Sequence, residues 1–424
     1  MFRKRIIVIF LTLLLAGAGS VLYFNATPKD KLVKVLPNNG PRVDQQEFRR
    51  TLDNLLETSI TEGNRIELLK NGEVFYPRKL EAIAAAESSI TMETYEFWGE
   101  EVAWEFAEAL MERAKAGVKV HFIADYIGSV NADNGIWEKM EEAGVEVVRW
   151  RRPSWYQSGR FNHRTHRKLL VIDGKLGYTG GANTADPWKG SPETGGYRDN
   201  HFELEGPIVG YLQATFLENW LSATGELLLG EAYFPELEAK GDLDAQMVIS
   251  SPREGSKRIR LLFLLAIGAA NDHLRIAAAY FYPDMQVKEA LLAARERGVT
   301  IDILKPGEGG EDDWVRYASR NRWGDLLQAG VRIHEYHPVM YHAKAIMVDE
   351  EWSTIGSANF DNRSFRINDE ANVNVFDAGF TRMMNEQFDA DLETAELVTL
   401  ESWQARTWRE RMIGWLGNAI GPHL

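Results

Sequence analysis

Apolar stretches of two lengths punctuate the chain, and each predicts a different element. The first covers residues 6–24, nineteen positions without a charge or a proline. Roughly 20 apolar residues cross a bilayer as a helix. This stretch, with Arg3, Lys4 and Arg5 ahead of it, therefore predicts an N-terminal membrane-spanning anchor over residues 1–24. A cleaved signal peptide is the competing reading. Ala16-Gly17-Ala18 supplies small residues for cleavage, but Val21-Leu22-Tyr23-Phe24 prolongs the stretch beyond the usual length. The basic cluster predicts a cytoplasmic N-terminus and the rest of the chain on the outer face of the cell membrane. Lys29, Lys31 and Lys34 pull against that orientation. Pro28, Pro37, Gly40 and Pro41 make residues 25–64 read as a linker and entry segment.

Beyond the linker the apolar runs shorten and occur in pairs. Residues 109–118 read ALMERAKAGV and residues 290–299 read ALLAARERGV. Each ends a helical pattern and feeds an apolar strand candidate, VKVHFIAD at 118–125 and VTIDILKP at 299–306. Upstream, 89–97 and 274–281 are strand-like and follow alanine-rich helices. Downstream, a second glycine–valine step recurs at Gly144-Val145 and Gly330-Val331. Strands alternating with helices predict parallel βαβ units. The run 261–270 is too short to span a bilayer and predicts a helix buried against the sheet. The expectation is an α/β fold of two pseudo-symmetric halves, 65–235 and 246–400, followed by an amphipathic tail, 401–424.

The repeat carries candidate chemistry. His166-Arg167-Lys168 is followed by Asp173, Gly180 and Asn183, and His342-Ala343-Lys344 by Asp349, Gly356 and Asn359. His to Lys is 2, His to Asp 7 and His to Asn 17 in both copies. On a strand, positions i and i+2 share a face, so each copy would present one imidazole and one ammonium. The glycine-rich turn admits a close backbone, and Asn adds amide donors. Two copies facing each other would surround one anion with two imidazoles, two ammoniums and two amides, which suits a phosphoryl group. One imidazole would attack phosphorus and the other would protonate the leaving alkoxide. Lys and Asn would stabilise the non-bridging oxygens, so neither metal nor cofactor is expected.

This doubled pattern resembles the phospholipase D superfamily, and within it the bacterial cardiolipin synthase branch. Tyr280-Phe281-Tyr282-Pro283-Asp284 and the stretch from Gly356 through Phe365 to Asn368-Asp369-Glu370 carry the resemblance further. It implies a duplicated phospholipase D fold with the active site between the halves, and His166 as the nucleophile. It also implies a downstream acid that orients each catalytic His, Asp199 in the first half and Glu370 in the second, with Asp173 and Asp349 supporting the motif. Gly181 stands where the second copy has Ser357, so the halves need not contribute equally.

Composition narrows the function. The net charge is −14 and there is no cysteine. The first disfavours a general nucleic-acid binder. The second removes disulfides, thiolate metal sites and cysteine nucleophiles. The expected partners are phospholipid substrates and a membrane, not nucleic acid, and nothing in the sequence sets an oligomeric state. The ten extra residues before the first His fall in 149–160, within a run from Arg149 to Lys168 that holds seven Arg or Lys and no acid. Arg149, Arg151, Arg152 and Tyr156 are candidate contacts for anionic headgroups; a solvated loop is the plain alternative. His163 and His337 read as pocket-edge or loop residues rather than metal ligands. Glu93, Glu96 and Asp125 read as strand-end solvation or as an acceptor border. The stretch from Trp403 to Leu416 reads as a docked helix or as an interfacial one. The leading function is transfer of a phosphatidyl group between two phosphatidylglycerols. Hydrolysis to phosphatidic acid, a phosphodiesterase on nucleic acid and a non-catalytic lipid binder are the other readings.

Overall fold

The computed structural model describes residues 40–152, 162–252, 257–310 and 313–419, with scattered helical positions between 5 and 19. Most of the predicted anchor lies outside the described residues, and no described helix is long and apolar enough to cross a membrane.

The strands are β1 Thr61–Lys70, β2 Ser89–Thr94, β3 Phe97–Trp98, β4 Lys119–Asp125, β5 Glu146–Trp150, β6 Leu169–Ile172, β7 Leu176–Gly180, β8 Thr184–Ala185 and β9 Asn200–Glu205 in the first half. The second half holds β10 Leu243–Ser250, β11 His273–Ala277, β12 Thr300–Pro306, β13 Arg332–Tyr336, β14 Ala345–Val348, β15 Trp352–Gly356, β16 Glu370–Val375 and β17 Ala395–Leu397. Fifteen of them form one sheet in the order β17-β13-β12-β11-β14-β15-β16-β10-β1-β9-β7-β6-β2-β4-β5. Read outward from the β10–β1 seam, the two sides match strand for strand, with β17 added at one edge. The two halves predicted from the repeats are thus one pseudo-symmetric α/β unit. Only the outer strands are parallel: β2, β4 and β5 on one side, and β11, β12 and β13 on the other. The strands nearer the seam pair antiparallel.

Local sequence explains the repeat. Gly117 and Gly298 have φ of 93° and 96° just after the helices Val102–Lys115 and Met285–Glu296. Glycine takes this left-handed turn without steric penalty, and the next valine enters the strand segment. Helices cover both faces. Ile83, Phe106 and Met140 pack over the first half, and Ile267 and Leu291 over the second. On the opposite face the helices Ile208–Thr224 and Ala378–Leu392 bury Phe216, Trp220, Phe380 and Phe388 in one core shared by both halves. The predicted buried helix is Arg258–Ala269.

The entry segment is more than a linker. The helix Gln46–Leu56 buries Phe48, Leu52 and Leu56 in the core of the second half, and β1 begins at Thr61, inside the segment.

Candidate active site

Both His-x-Lys pairs lie just before a strand, because β6 starts at Leu169 and β14 at Ala345. The pairs occupy stretches that cross to the opposite half. Thr165 bridges Asp369 and Tyr341 bridges Arg198, each in parallel sense. The His166 backbone N–H donates to the Asp369 carbonyl at 2.9 Å, and that of His342 to the Arg198 carbonyl at 2.7 Å. Each His is therefore strapped beside the acid that follows its bridge partner. His166 Nδ1 lies 3.0 Å from Glu370, and His342 Nδ1 lies 2.6 Å from Asp199. The sequence reading paired each acid with its own half. The structure exchanges them, because the straps reach across the cleft.

Both imidazoles, with Asn183 and Asn359, line one cavity of about 410 Å³ between the halves. With Nδ1 turned to a carboxylate, Nε2 is the nitrogen left for chemistry on each ring. Burial lowers the pKa of His166 to about 4, against the pull of Glu370. Burial and the Lys344 charge lower His342 to about 3, against Asp199. Both rings are thus neutral at rest. Burial would raise Asp199, but His342 and Lys344 outweigh it and hold it below the usual carboxylate range. Glu370 is likewise raised by burial and lowered further by His166 and Lys168. Lys168 falls to about 7 and Lys344 to about 8, in both cases through burial, opposed by the site acids. Lys168 Nζ donates to the His166 carbonyl at 2.7 Å, and Lys344 Nζ to that of His342.

The amides differ. Asn183 Oδ1 accepts the Glu96 backbone N–H at 3.3 Å, whereas Asn359 Oδ1 is buried with no hydrogen-bond partner among the described residues. The Gly181–Ser357 difference also has a physical reason. Ser357 Oγ donates to Glu370 at 2.5 Å. At Gly181 a Cβ would fall 2.2 Å from Asp199 Oδ1, and Trp188 Nε1 takes over the donor role, reaching Asp199 at 2.8 Å.

Asp173 and Asp349 do not line this cavity. Asp173 accepts backbone N–H groups of Glu87, Ser88 and Ser89 at 2.7–3.0 Å. Asp349 accepts those of Asn271, Asp272 and His273, all at 2.8 Å. Each ties the turn inside its own strand hairpin, β6–β7 or β14–β15, to the entrance of the neighbouring strand, β2 or β11.

The predicted headgroup arginines are used elsewhere. Arg149 stacks on Tyr126 and Trp137, Arg152 leans toward Tyr126, and Arg151 pairs with Asp369 at 3.1 Å. Tyr156 lies outside the described residues. Arg164 and Arg363, one from each half, are the guanidiniums that line the cavity. Sequence reasoning did not single them out: Arg164 is one of seven cations in the basic run, and Arg363 has no counterpart in the repeat. Glu93 and Asp125 are buried rather than solvated at strand ends. Burial raises Glu93 to about 7, where Thr165 and Asn219 hold it, and raises Asp125 to about 6, against three backbone donors. Glu96 does line the cavity. His163 Nδ1 lies 2.9 Å from the Ile367 carbonyl oxygen, and His337 lies 3.5 Å from Glu396. Among the described residues, no group of three or more His, Asp or Glu is arranged to hold a metal ion.

Known proteins share this arrangement of chain. Solved structures of similar fold include a phosphatidylserine synthase from Haemophilus influenzae, with a TM-score of 0.69 at 12% identity, covering 89% of this chain and all of that one. A polyphosphate kinase from Porphyromonas gingivalis matches with a TM-score of 0.56 at 14% identity, covering 94% of this chain and 56% of that one. At such identities the likeness concerns the fold. Sequence relatives are closer. A cardiolipin synthase of Geobacillus kaustophilus is 33% identical over 85% of this chain and 73% of its own length. Cardiolipin synthase A of Pseudomonas syringae is 34% identical over 81% and 72%. The family model described as "Cardiolipin synthase, PLD-like domain" matches residues 80–189 and 263–392, which include both His-x-Lys motifs. With the doubled motif, the palindromic sheet and relatives of this extent, the chain belongs to the cardiolipin synthase family of phospholipase D-like proteins.

Proposed function

We propose that the protein is a phosphatidyltransferase that makes cardiolipin from two phosphatidylglycerols. The observation that carries this reading is the pair of imidazoles, one from each half, lining one cavity, each with Nδ1 on a buried carboxylate. Nε2 of His166 attacks the phosphorus of the first phosphatidylglycerol. The bond from phosphorus to the glycerol headgroup oxygen breaks, and His342 passes a proton to that oxygen. The entering phosphodiester anion favours the imidazolium form of the ring facing it, so the proton is taken up as substrate binds. His342 then removes the proton from a hydroxyl of the second phosphatidylglycerol. That oxygen displaces phosphorus from His166, giving cardiolipin. Lys168, Lys344, Asn183 and Asn359 stabilise the non-bridging oxygens. Asp199 and Glu370 orient the rings, and Arg164 and Arg363 meet headgroup phosphates at the cavity wall.

The anchor belongs to the same proposal. Residues 6–24 hold the enzyme at the cell membrane, with Arg3, Lys4 and Arg5 inside and the catalytic part on the outer face. External protease on intact spheroplasts should cut the domain; protection until lysis would reverse the orientation.

The reaction is tested with the purified full chain, phosphatidylglycerol vesicles and EDTA. The expected products are cardiolipin and glycerol in equal amounts. Phosphatidic acid without cardiolipin would make the protein a hydrolase. Loss of turnover in EDTA, restored by one metal, would overturn the metal-free chemistry.

A further inference from the structure

The helix Trp408–Ala419 has two faces of different character. Gly414 and Gly417 are buried. A Cβ at Gly414 would fall 2.5 Å from the Tyr317 carbonyl oxygen, and one at Gly417 would fall 2.7 Å from the Ala318 Cβ. These glycines lay the backbone against the helix Asp313–Arg320. Trp408, Met412, Trp415 and Leu416 stand at i, i+4, i+7 and i+8, so they form one stripe. All four are exposed, Trp408 at 75% and Trp415 at 69%. At 100° per residue Arg409 and Arg411 fall on opposite flanks of this stripe, and both are exposed. The supporting helix contributes Trp314, which is 42% exposed and also lines the catalytic cavity.

We propose that this stripe docks on a bilayer containing anionic lipid and sets the nearby cavity mouth at the headgroup level. The inference rests on the lipid-transfer reading above for the identity of the surface. Three features select a bilayer. Two indoles lead the stripe, and tryptophan favours the boundary between headgroups and acyl chains. The flanking arginines supply positive charge beside the apolar face, in a chain whose net charge is −14, as interfacial helices on anionic membranes require. The helix that supports the stripe also places Trp314 in the wall of a cavity that must admit a lipid.

The absence of cysteine makes a clean test possible. Met412→Cys in the full chain takes an environment-sensitive dye at one position. Glu112→Cys, an exposed position on another helix, is the reference, and Trp415→Cys is a second reporter should Met412→Cys fold poorly. In vesicles of phosphatidylglycerol and phosphatidylcholine, nitroxide-bearing lipids should quench the 412 dye at least about threefold more than the 112 dye. The 412 dye should also shift to the blue, and quenching should weaken in phosphatidylcholine alone. Equal quenching at 412 and 112 would overturn the proposal. So would protection of 412 from a water-soluble quencher without quenching by lipid, which would mean that a second copy or another part of this chain covers the stripe. The readout needs no turnover, so an enzyme that fails to make cardiolipin would sink the proposed reaction without touching this measurement.

Discussion

The two halves each supply a His, a Lys and an Asn to the site but support them differently. On the His166 side, Glu370 rests on two hydroxyls, Ser357 at 2.5 Å and Ser364 at 2.8 Å. On the His342 side, Asp199 rests on the Trp188 indole and the Asn200 backbone N–H, both at 2.8 Å. One position earlier the charges are reversed. Asp369 pairs with Arg151, whereas Arg198 forms a two-pronged pair with Asp391 at 2.7 and 2.8 Å. The rings differ as well, with Tyr95 edge-on to His166 and Trp188 edge-on to His342. Duplication preserved the strap and the chemistry in front of it, while the packing behind diverged. A two-step transfer asks different things of its two imidazoles, and the different supports give each ring its own environment.

The comparison breaks most sharply at the imidazoles. His166→Ala should cost on the order of 10⁶-fold, as for a lost nucleophile, and His342→Ala roughly 10²–10⁴-fold, with the fold retained. Quenching His342→Ala in alkaline denaturant, where a phosphorus–imidazole bond survives, should leave the phosphatidyl group on His166; an adduct on His342 in the reciprocal variant would swap the roles. The crossed pairing is next. Asp199→Asn and Glu370→Gln should each lower kcat by up to about 10⁴-fold, as when an orienting acid is lost from a catalytic imidazole. A double-mutant cycle should couple Asp199 to His342 more strongly than to His166; the opposite result would refute the exchange.

The Gly181–Ser357 difference gives a smaller effect with a distinct signature. Ser357→Gly removes one hydrogen bond to a buried carboxylate, about 1.5–3 kcal/mol, or roughly 10- to 100-fold if felt in full at the transition state. Gly181→Ser, which would make the motifs more alike, should instead lower thermal stability, because its Cβ would sit 2.2 Å from Asp199 Oδ1. Equal stability for Gly181→Ser and wild type would show that the halves are interchangeable there.

The smallest effect is in pH. Lys168 and Lys344 carry charge below about 7 and 8, so kcat/KM should fall on the alkaline side of that range, by at most about tenfold per pH unit for each lysine. Stability should move the other way. Both folded-state pKa values lie below the ordinary 10.5. The unfolded chain therefore binds more protons between about 7 and 10.5, and the lysine contribution to stability rises with pH there. A falling denaturation midpoint over that window, after subtraction of the matching Lys→Met variants, would contradict the burial of these ammoniums.

Much of this was legible before folding. The His-to-Asn spacing picked out four side chains that line one cavity, and the paired glycine–valine steps located the outer parallel strands. What stayed hidden depends on distance along the chain. His166 and Glu370 are 204 residues apart, and His342 and Asp199 are 143 apart, so spacing within a half pointed to the wrong partners. The basic run from Arg149 to Lys168 was legible only in part, because it lines the cavity through Arg164 and not through Arg149, Arg151 or Arg152. Aromatic rings and Asp369 absorb those guanidiniums, while Arg164 and Arg363 reach the cavity from positions without a repeat signature. The seam strand β1 was passed over because its residues, Thr61–Lys70, carry both polar and charged side chains, a pattern that pairing with β10 and β9 makes stable.

The exchange of acids across the cleft also bears on the life of the nascent chain. Domains generally fold as units, N-terminal first during synthesis. The first half, once made, holds His166 without its carboxylate, which arrives only with Glu370. His342 draws on Asp199 from the completed half, but the cleft that both rings face closes only after the second half has formed. An unfinished or proteolytically shortened product therefore has no oriented imidazole pair. The crossed straps thus tie competence to completion of the whole chain.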